Sequence, residues 1–146
     1  EALAPRRNVS ETSYLRRLVE TMCSLAGHGH CIIVGRGAAQ VLPAASTLRV
    51  RVIAPQALRV QRICRTMSLP KHKAERHITV RDRQRSSFIR EHFQRDPADV
   101  HQYDLLLNVE RLSVPDCAWL IEQALEVRQA ALQTTTESAG KALMGT

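Results

Sequence analysis

Residues 31–43 read CIIVGRGAAQVLP, from Cys31 to Pro43. Four apolar residues, Cys31-Ile32-Ile33-Val34, run straight into Gly35-Arg36-Gly37. A short continuous apolar run is the pattern of a strand covered on both faces, as in parallel sheets. In open α/β sheets, ligands bind beyond the carboxyl ends of the strands, and Arg36 stands at such an end. Gly35 and Gly37 permit unusual dihedrals and a close approach of ligand to backbone. The planar fork of an arginine matches the oxygens of a phosphate. The three residues therefore read as a phosphate-binding turn, although a tight turn with a solvated arginine gives the same string.

Working outward, residues 1–9 read as a loose lead-in, and Ser10-Glu11-Thr12-Ser13 offers helix caps. Tyr14, Leu15, Leu18, Val19, Met22 and Leu25 recur at helical spacing, and Gly27 and Gly29 close that helix. Downstream, Leu48 to Ala54 predicts a second strand, less covered in its first half because of Arg49 and Arg51. Pro55 suits the first turn of a helix. That helix has Leu58, Ile63 and Met67 on one face and Arg59, Arg62 and Arg65 around it. Pro70 opens a long polar helix from Lys71 to Phe93, which Asp96-Pro97 breaks. Tyr103 to Val109 predicts a third strand, and Ser113 caps a last helix bearing Trp119, Leu120, Ile121, Leu125 and Val127. The alternation argues for an α/β domain, a parallel sheet flanked by helices, over residues 1–133. Residues 134–146 are polar and read as a flexible tail.

The chain has 146 residues, enough for one domain, and a formal charge of +7 carried mostly by arginine. That balance favours phosphate-bearing partners, though a generally basic soluble protein would also show it. One Trp, two Tyr and two Phe leave an aliphatic core. So few aromatics, with no helix-turn-helix or zinc pattern, argue against nucleic acid as the partner. Cys23, Cys31, Cys64 and Cys117 form no C-x-x-C pair and read as buried reduced thiols of a cytoplasmic protein. No signal peptide and no apolar run of about 18 residues point to a membrane. His28-Gly29-His30-Cys31 resembles a metal cluster, but no further ligand is spaced to complete it, so no metal site is expected. Asp104 and Asn108, at the two ends of the third strand, read as capping or loop residues. The first residue is Glu rather than Met, which suggests a fragment, a processed chain or an edited one.

The order of pieces carries a resemblance. CIIVGRGAAQVLP is followed by LRVRVIAPQALRVQRICR (48–65), RDRQRSSFIREHF (81–93), DPADVHQYDLLLN (96–108) and RLS (111–113). This resembles the cytidylate-kinase-like group of nucleoside monophosphate kinases, over roughly Ser13 to Leu125. The resemblance implies that Gly35, Arg36 and Gly37 form the turn whose arginine contacts the acceptor nucleotide's phosphate. Gly37 stands where cytidylate kinases commonly carry an aspartate that helps hold the acceptor nucleoside. The resemblance also implies a mobile arginine-rich lid helix. Its arginines fall among Arg81 and Arg85, in the catalytic role, and Arg83 and Arg90, binding phosphate. Phosphoryl transfer is mostly positioning and charge stabilisation, which several arginines supply. By spacing alone, Arg76, Arg83 and Arg90 share one side of a helix and Arg81 and Arg85 another. A solvated helix with Asp82 and Glu91 in weak exposed pairs is the plainer alternative. ATP and magnesium are implied by the resemblance only.

Such kinases need G-x-x-x-x-G-K-[ST] after the first strand, to cradle the donor phosphates. The 146 residues contain no such string; Ser138-Ala139-Gly140-Lys141-Ala142 is the nearest and ends in Ala. The expectation is therefore a P-loop kinase-like core without its N-terminal strand and Walker A loop. It would be part of a nucleoside monophosphate kinase, inactive alone. The alternative is a non-catalytic module derived from a kinase fold, regulatory or binding nucleotides or nucleic acid. In the fold so implied, the absent strand lies between Cys31–Val34 and Leu48–Ala54. Two apolar strands without their shared neighbour leave three outcomes: they pair directly, a second copy fills the gap, or the chain folds poorly; a homodimer through exchanged or edge-paired elements is the one favoured.

Overall fold

Ser10 starts the first helix as its residue type suggests. Its hydroxyl accepts the Ser13 N–H at 3.2 Å, and Glu11 lies in the first turn, where the helix dipole favours an anion. The computed structural model describes residues 10–143, with side chains described through residue 131. In chain order the elements are α1 (Glu11–His28), α2 (Ala38–Val41), β1 (Val50–Ile53), α3 (Gln56–Met67), α4 (Lys71–Phe93), a 3-10 turn (Val100–Gln102), β2 (Leu105–Asn108) and α5 (Val114–Leu143).

β1 and β2 pair in parallel, from Val50 opposite Leu105 to Ile53 opposite Asn108. The α3–α4 pair forms the crossover, as a parallel pair requires. One apolar cluster joins α3 to α4 through Val60, Ala74 and Ile78, with Ile63, Cys64 and Leu69 against it. A second cluster buries Met22 of α1 with Ala38 and Leu42, and Leu18, Val19, Ala26, Ile33 and Val41 pack on it. Ser113 caps α5: its hydroxyl accepts the Asp116 N–H at 3.2 Å while Asp116 accepts the Ser113 N–H at 3.1 Å. The α/β expectation holds in coarse form, as a helix-rich α/β fold with a two-stranded parallel sheet.

Three sequence expectations need correction. Cys31–Val34 is not a strand: it belongs to no sheet, and Ile32 and Val34 are 94% and 87% exposed. Only Ile33 of that stretch packs under α1. The physical reason is the lack of a neighbour, because an apolar run forms a ladder only when another strand accepts its N–H and C=O groups. The other two strands are shorter than predicted, 50–53 and 105–108. Cys23 and Cys31 are exposed rather than buried, Cys64 is half-buried and only Cys117 lies inside; all four are free. The helical backbone of α5 runs on through residues 134–143. Among the described residues no helix is long and apolar enough to cross a membrane.

Candidate functional site

The glycine–arginine–glycine turn is built from three successive left-handed residues. Gly35, Arg36 and Gly37 have φ of 78°, 56° and 75°. For Arg36 that conformation costs about 1–2 kcal/mol, so the surroundings must hold it. The Ala38 N–H closes the turn on the Gly35 carbonyl at 3.1 Å, and the Val41 N–H reaches the Gly37 carbonyl at 3.1 Å. The result is an exposed Arg36 side chain on a pinned backbone.

Gly37 is buried, and the reason is a neighbour from far along the chain. A Cβ placed on Gly37 would lie 2.2 Å from Phe93 Cε2 and 2.9 Å from its Cδ2. Phe93 ends α4. Its ring meets Phe88 edge-on with centroids 5.7 Å apart, and Phe88 meets His92 at 4.7 Å. His92 Nε2 stands 3.4 Å from Glu11 Oε1, at the start of α1. Three residues further on, Tyr14 accepts a hydrogen bond from the Arg36 guanidinium at 3.2 Å. The contacts therefore close on themselves: Arg36, Gly37, Phe93, Phe88, His92, Glu11, Tyr14 and back to Arg36.

The arginines assigned to a lid lie along α4. Asp82 organises one group of them. It accepts both prongs of Arg59 from α3, at 2.7 and 2.8 Å, and Arg85 at 3.0 Å. The hydrogen bonds from Arg59 hold its carboxyl below the usual carboxylate range, against a partial desolvation that works the other way. Arg90 pairs with Asp96 at 3.1 Å beyond the helix end. Arg81 and Arg83 are exposed, with no hydrogen bond or ion pair among the described residues. The turn is tied to α4 through Gly37 and Phe93, not through any of these arginines. α3 and α4 together hold ten of the chain's Lys and Arg residues against three Asp and Glu.

Sequence reasoning overlooked Tyr14, Phe88, His92 and Phe93, and it took Asp82 for a weak surface partner. The scarcity of aromatics was the available signal, since three of the five Phe, Tyr and Trp residues gather beside one turn. Asp104 and Asn108 serve the backbone as expected: Asp104 accepts the Arg49 N–H at 2.7 Å and Asn108 accepts the Glu110 N–H at 3.1 Å. His28 turns back to the Ser24 carbonyl at 2.7 Å. Among the described residues no three His, Cys, Asp or Glu side chains are grouped to hold a metal ion.

The family model of the cytidylate kinase-like family matches residues 2–111, about three-quarters of the chain. The chain belongs to the cytidylate kinase-like family. The matched span takes in the turn, α4 and β2 and stops short of α5. Membership supports kinase and transferase chemistry at the coarse level and confirms the resemblance drawn from the order of motifs. Among curated proteins nothing matches the chain.

Proposed function

We propose that this chain is the acceptor-and-lid part of a nucleoside monophosphate kinase. Arg36 takes the phosphate of the acceptor nucleotide, and the arginines of α4 stabilise charge on the phosphoryl group in transit. The observation that carries this reading is the turn itself. A strained, exposed arginine is held on a glycine-flanked backbone that rests directly on the foot of the arginine-bearing helix. Strain of this kind persists where surrounding structure over-determines it and clusters at functional sites. Of the family arginines, Arg81 and Arg83 are free to meet a ligand, whereas Arg85 is held by Asp82 until a stronger anion draws it away.

Family membership suggests ATP and magnesium, and the sequence holds no G-x-x-x-x-G-K-[ST] string to cradle the donor phosphates. The proposal assigns only acceptor and lid to this chain. The donor-phosphate cradle then comes from outside the 146 residues. Cys31–Val34 supports that view: it is apolar, in no sheet and exposed at Ile32 and Val34, as a strand awaiting a neighbour would be.

Titrating CMP and UMP into the chain and into Arg36→Ala tests the acceptor role. Loss of a charge-assisted contact should weaken binding about tenfold to a hundredfold; equal affinity in the two proteins overturns the assignment. A coupled assay with ATP, magnesium and either nucleotide should show no turnover by the chain alone. Turnover that co-purifies with the chain and disappears in Arg85→Ala refutes the division of labour.

A further inference from the structure

The aromatic side chains of this molecule are few and unevenly placed. Phe88 and Phe93 are half-buried and engaged edge-to-face, and Phe93 closes on Gly37. Tyr103 is half-buried beneath the Arg51 guanidinium, 5.4 Å from its ring centre. Trp119 is 58% exposed on α5, which packs on β2. Tyr14 differs in its neighbour. It is 42% exposed, and its hydroxyl accepts a hydrogen bond from Arg36. An open aromatic face thus stands directly beside the arginine read as the phosphate anchor. Its position is set by contacts at the start of α1. Ser10 caps the helix and Glu11 meets His92 at the end of α4.

Resting on the acceptor assignment of Arg36, we propose that Tyr14 is the base platform of that site. A nucleoside monophosphate places its base one sugar away from its phosphate. With the phosphate on the Arg36 fork, the base lies over the Tyr14 ring. Every base has a π-face, so stacking holds a nucleotide without reading its edges. Gly37 agrees with this: it offers no side chain to hydrogen-bond a base, because Phe93 occupies the space a side chain would need. The site therefore selects nucleoside monophosphates over bare sugar phosphates, and it tolerates a change of base.

The probes are CMP, UMP and ribose 5-phosphate, titrated into the full chain and its variants by calorimetry. Tyr14→Leu removes the ring and should weaken CMP and UMP roughly 5- to 150-fold. It should leave ribose 5-phosphate within about threefold, the change expected from losing the exposed bond to Arg36 alone. Tyr14→Phe keeps the ring, loses only the bond to Arg36 and should retain CMP affinity within about threefold, since that bond is exposed. Ribose 5-phosphate also reports that the Leu variant is folded. If Tyr14→Leu weakens ribose 5-phosphate as much as CMP, Tyr14 acts only by orienting Arg36 and the platform is refuted. Unchanged CMP binding in Tyr14→Leu refutes it as well. Arg36→Ala should strike all three ligands alike, which tests the acceptor assignment separately; a wild-type chain that binds none of them overturns both.

Discussion

Gly37→Ala is the sharpest perturbation the structure offers. The new methyl group would stand 2.2 Å from Phe93 Cε2 in a residue whose φ is 75°. Two costs add. Placing a Cβ in the left-handed region costs about 1–2 kcal/mol, and overpacking against the ring costs about 1–3 kcal/mol. The expected loss is about 2–5 kcal/mol, or a fall in Tm of about 4–20 °C for a chain of this size. Urea unfolding followed by far-UV circular dichroism suits the measurement, because Trp119 is 58% exposed and a poor reporter of burial. The reasoning makes a second demand. In Phe93→Ala the whole ring is gone, so adding Gly37→Ala there should cost only the left-handed term. A double-mutant cycle reads the difference as the coupling between turn and helix. If Gly37→Ala costs under about 0.5 kcal/mol, the level of a neutral surface change, the contact does not constrain the turn. A penalty equal in both backgrounds shows that Phe93 is not the cause.

Asp82→Asn should destabilise the chain by about 1 kcal/mol near neutral pH, a figure reduced for solvent screening because the Arg59–Asp82 pair is about one-third exposed. Asp82 titrates below its ordinary 3.8 in the folded chain, so its contribution is whole above that value and lost as pH falls through the depressed native value. The gap between wild type and Asp82→Asn should therefore close in acid, and a gap that does not change with pH would refute the linkage. Arg128 reaches Asp104 at 3.2 Å and also the Ala44 carbonyl, joining α5 to the entry of β2. Arg128→Ala should speed amide exchange in α5 selectively; unchanged exchange there shows the tie to be idle. The exposed Ile32 and Val34 should draw two copies together, and Ile32→Asp should shift the chain toward monomer in light scattering. A clean wild-type monomer across micromolar concentrations rules that association out.

What could be read from the sequence was local. Ser10, Pro55, Pro70 and Ser113 mark the starts of α1, α3, α4 and α5 because capping and fixed φ act over a single turn. The parallel pairing of β1 with β2 followed from the α3–α4 crossover between two apolar runs. The turn at Arg36 was legible for the same reason, since glycine and arginine chemistry is intrinsic to those residues. Cys31–Val34 was misread because its pattern states what the segment can pair with, not whether a partner is there. The circuit through Tyr14, His92 and Phe93 left no trace in spacing. It joins residues about eighty positions apart, and only the packing of α4 on α2 brings them together. Asp82 was undervalued because its partner Arg59 sits on another helix, outside the i, i+3 and i, i+4 windows that sequence reasoning inspects.

The surplus of cations on α3 and α4 equals the formal charge of the whole chain, +7, so the remainder is electrically balanced. The molecule is thus a dipole with one cationic pole, and that pole is the helix pair leading down to the Arg36 turn. A nucleotide in solution feels the pole before it touches any residue, at ranges of about a Debye length, ~8 Å in physiological salt. Capture should then be a salt-sensitive event while release, governed by contacts at the turn, is not. The same asymmetry should turn the helix pair, rather than the net-acidic α5, toward any anionic surface.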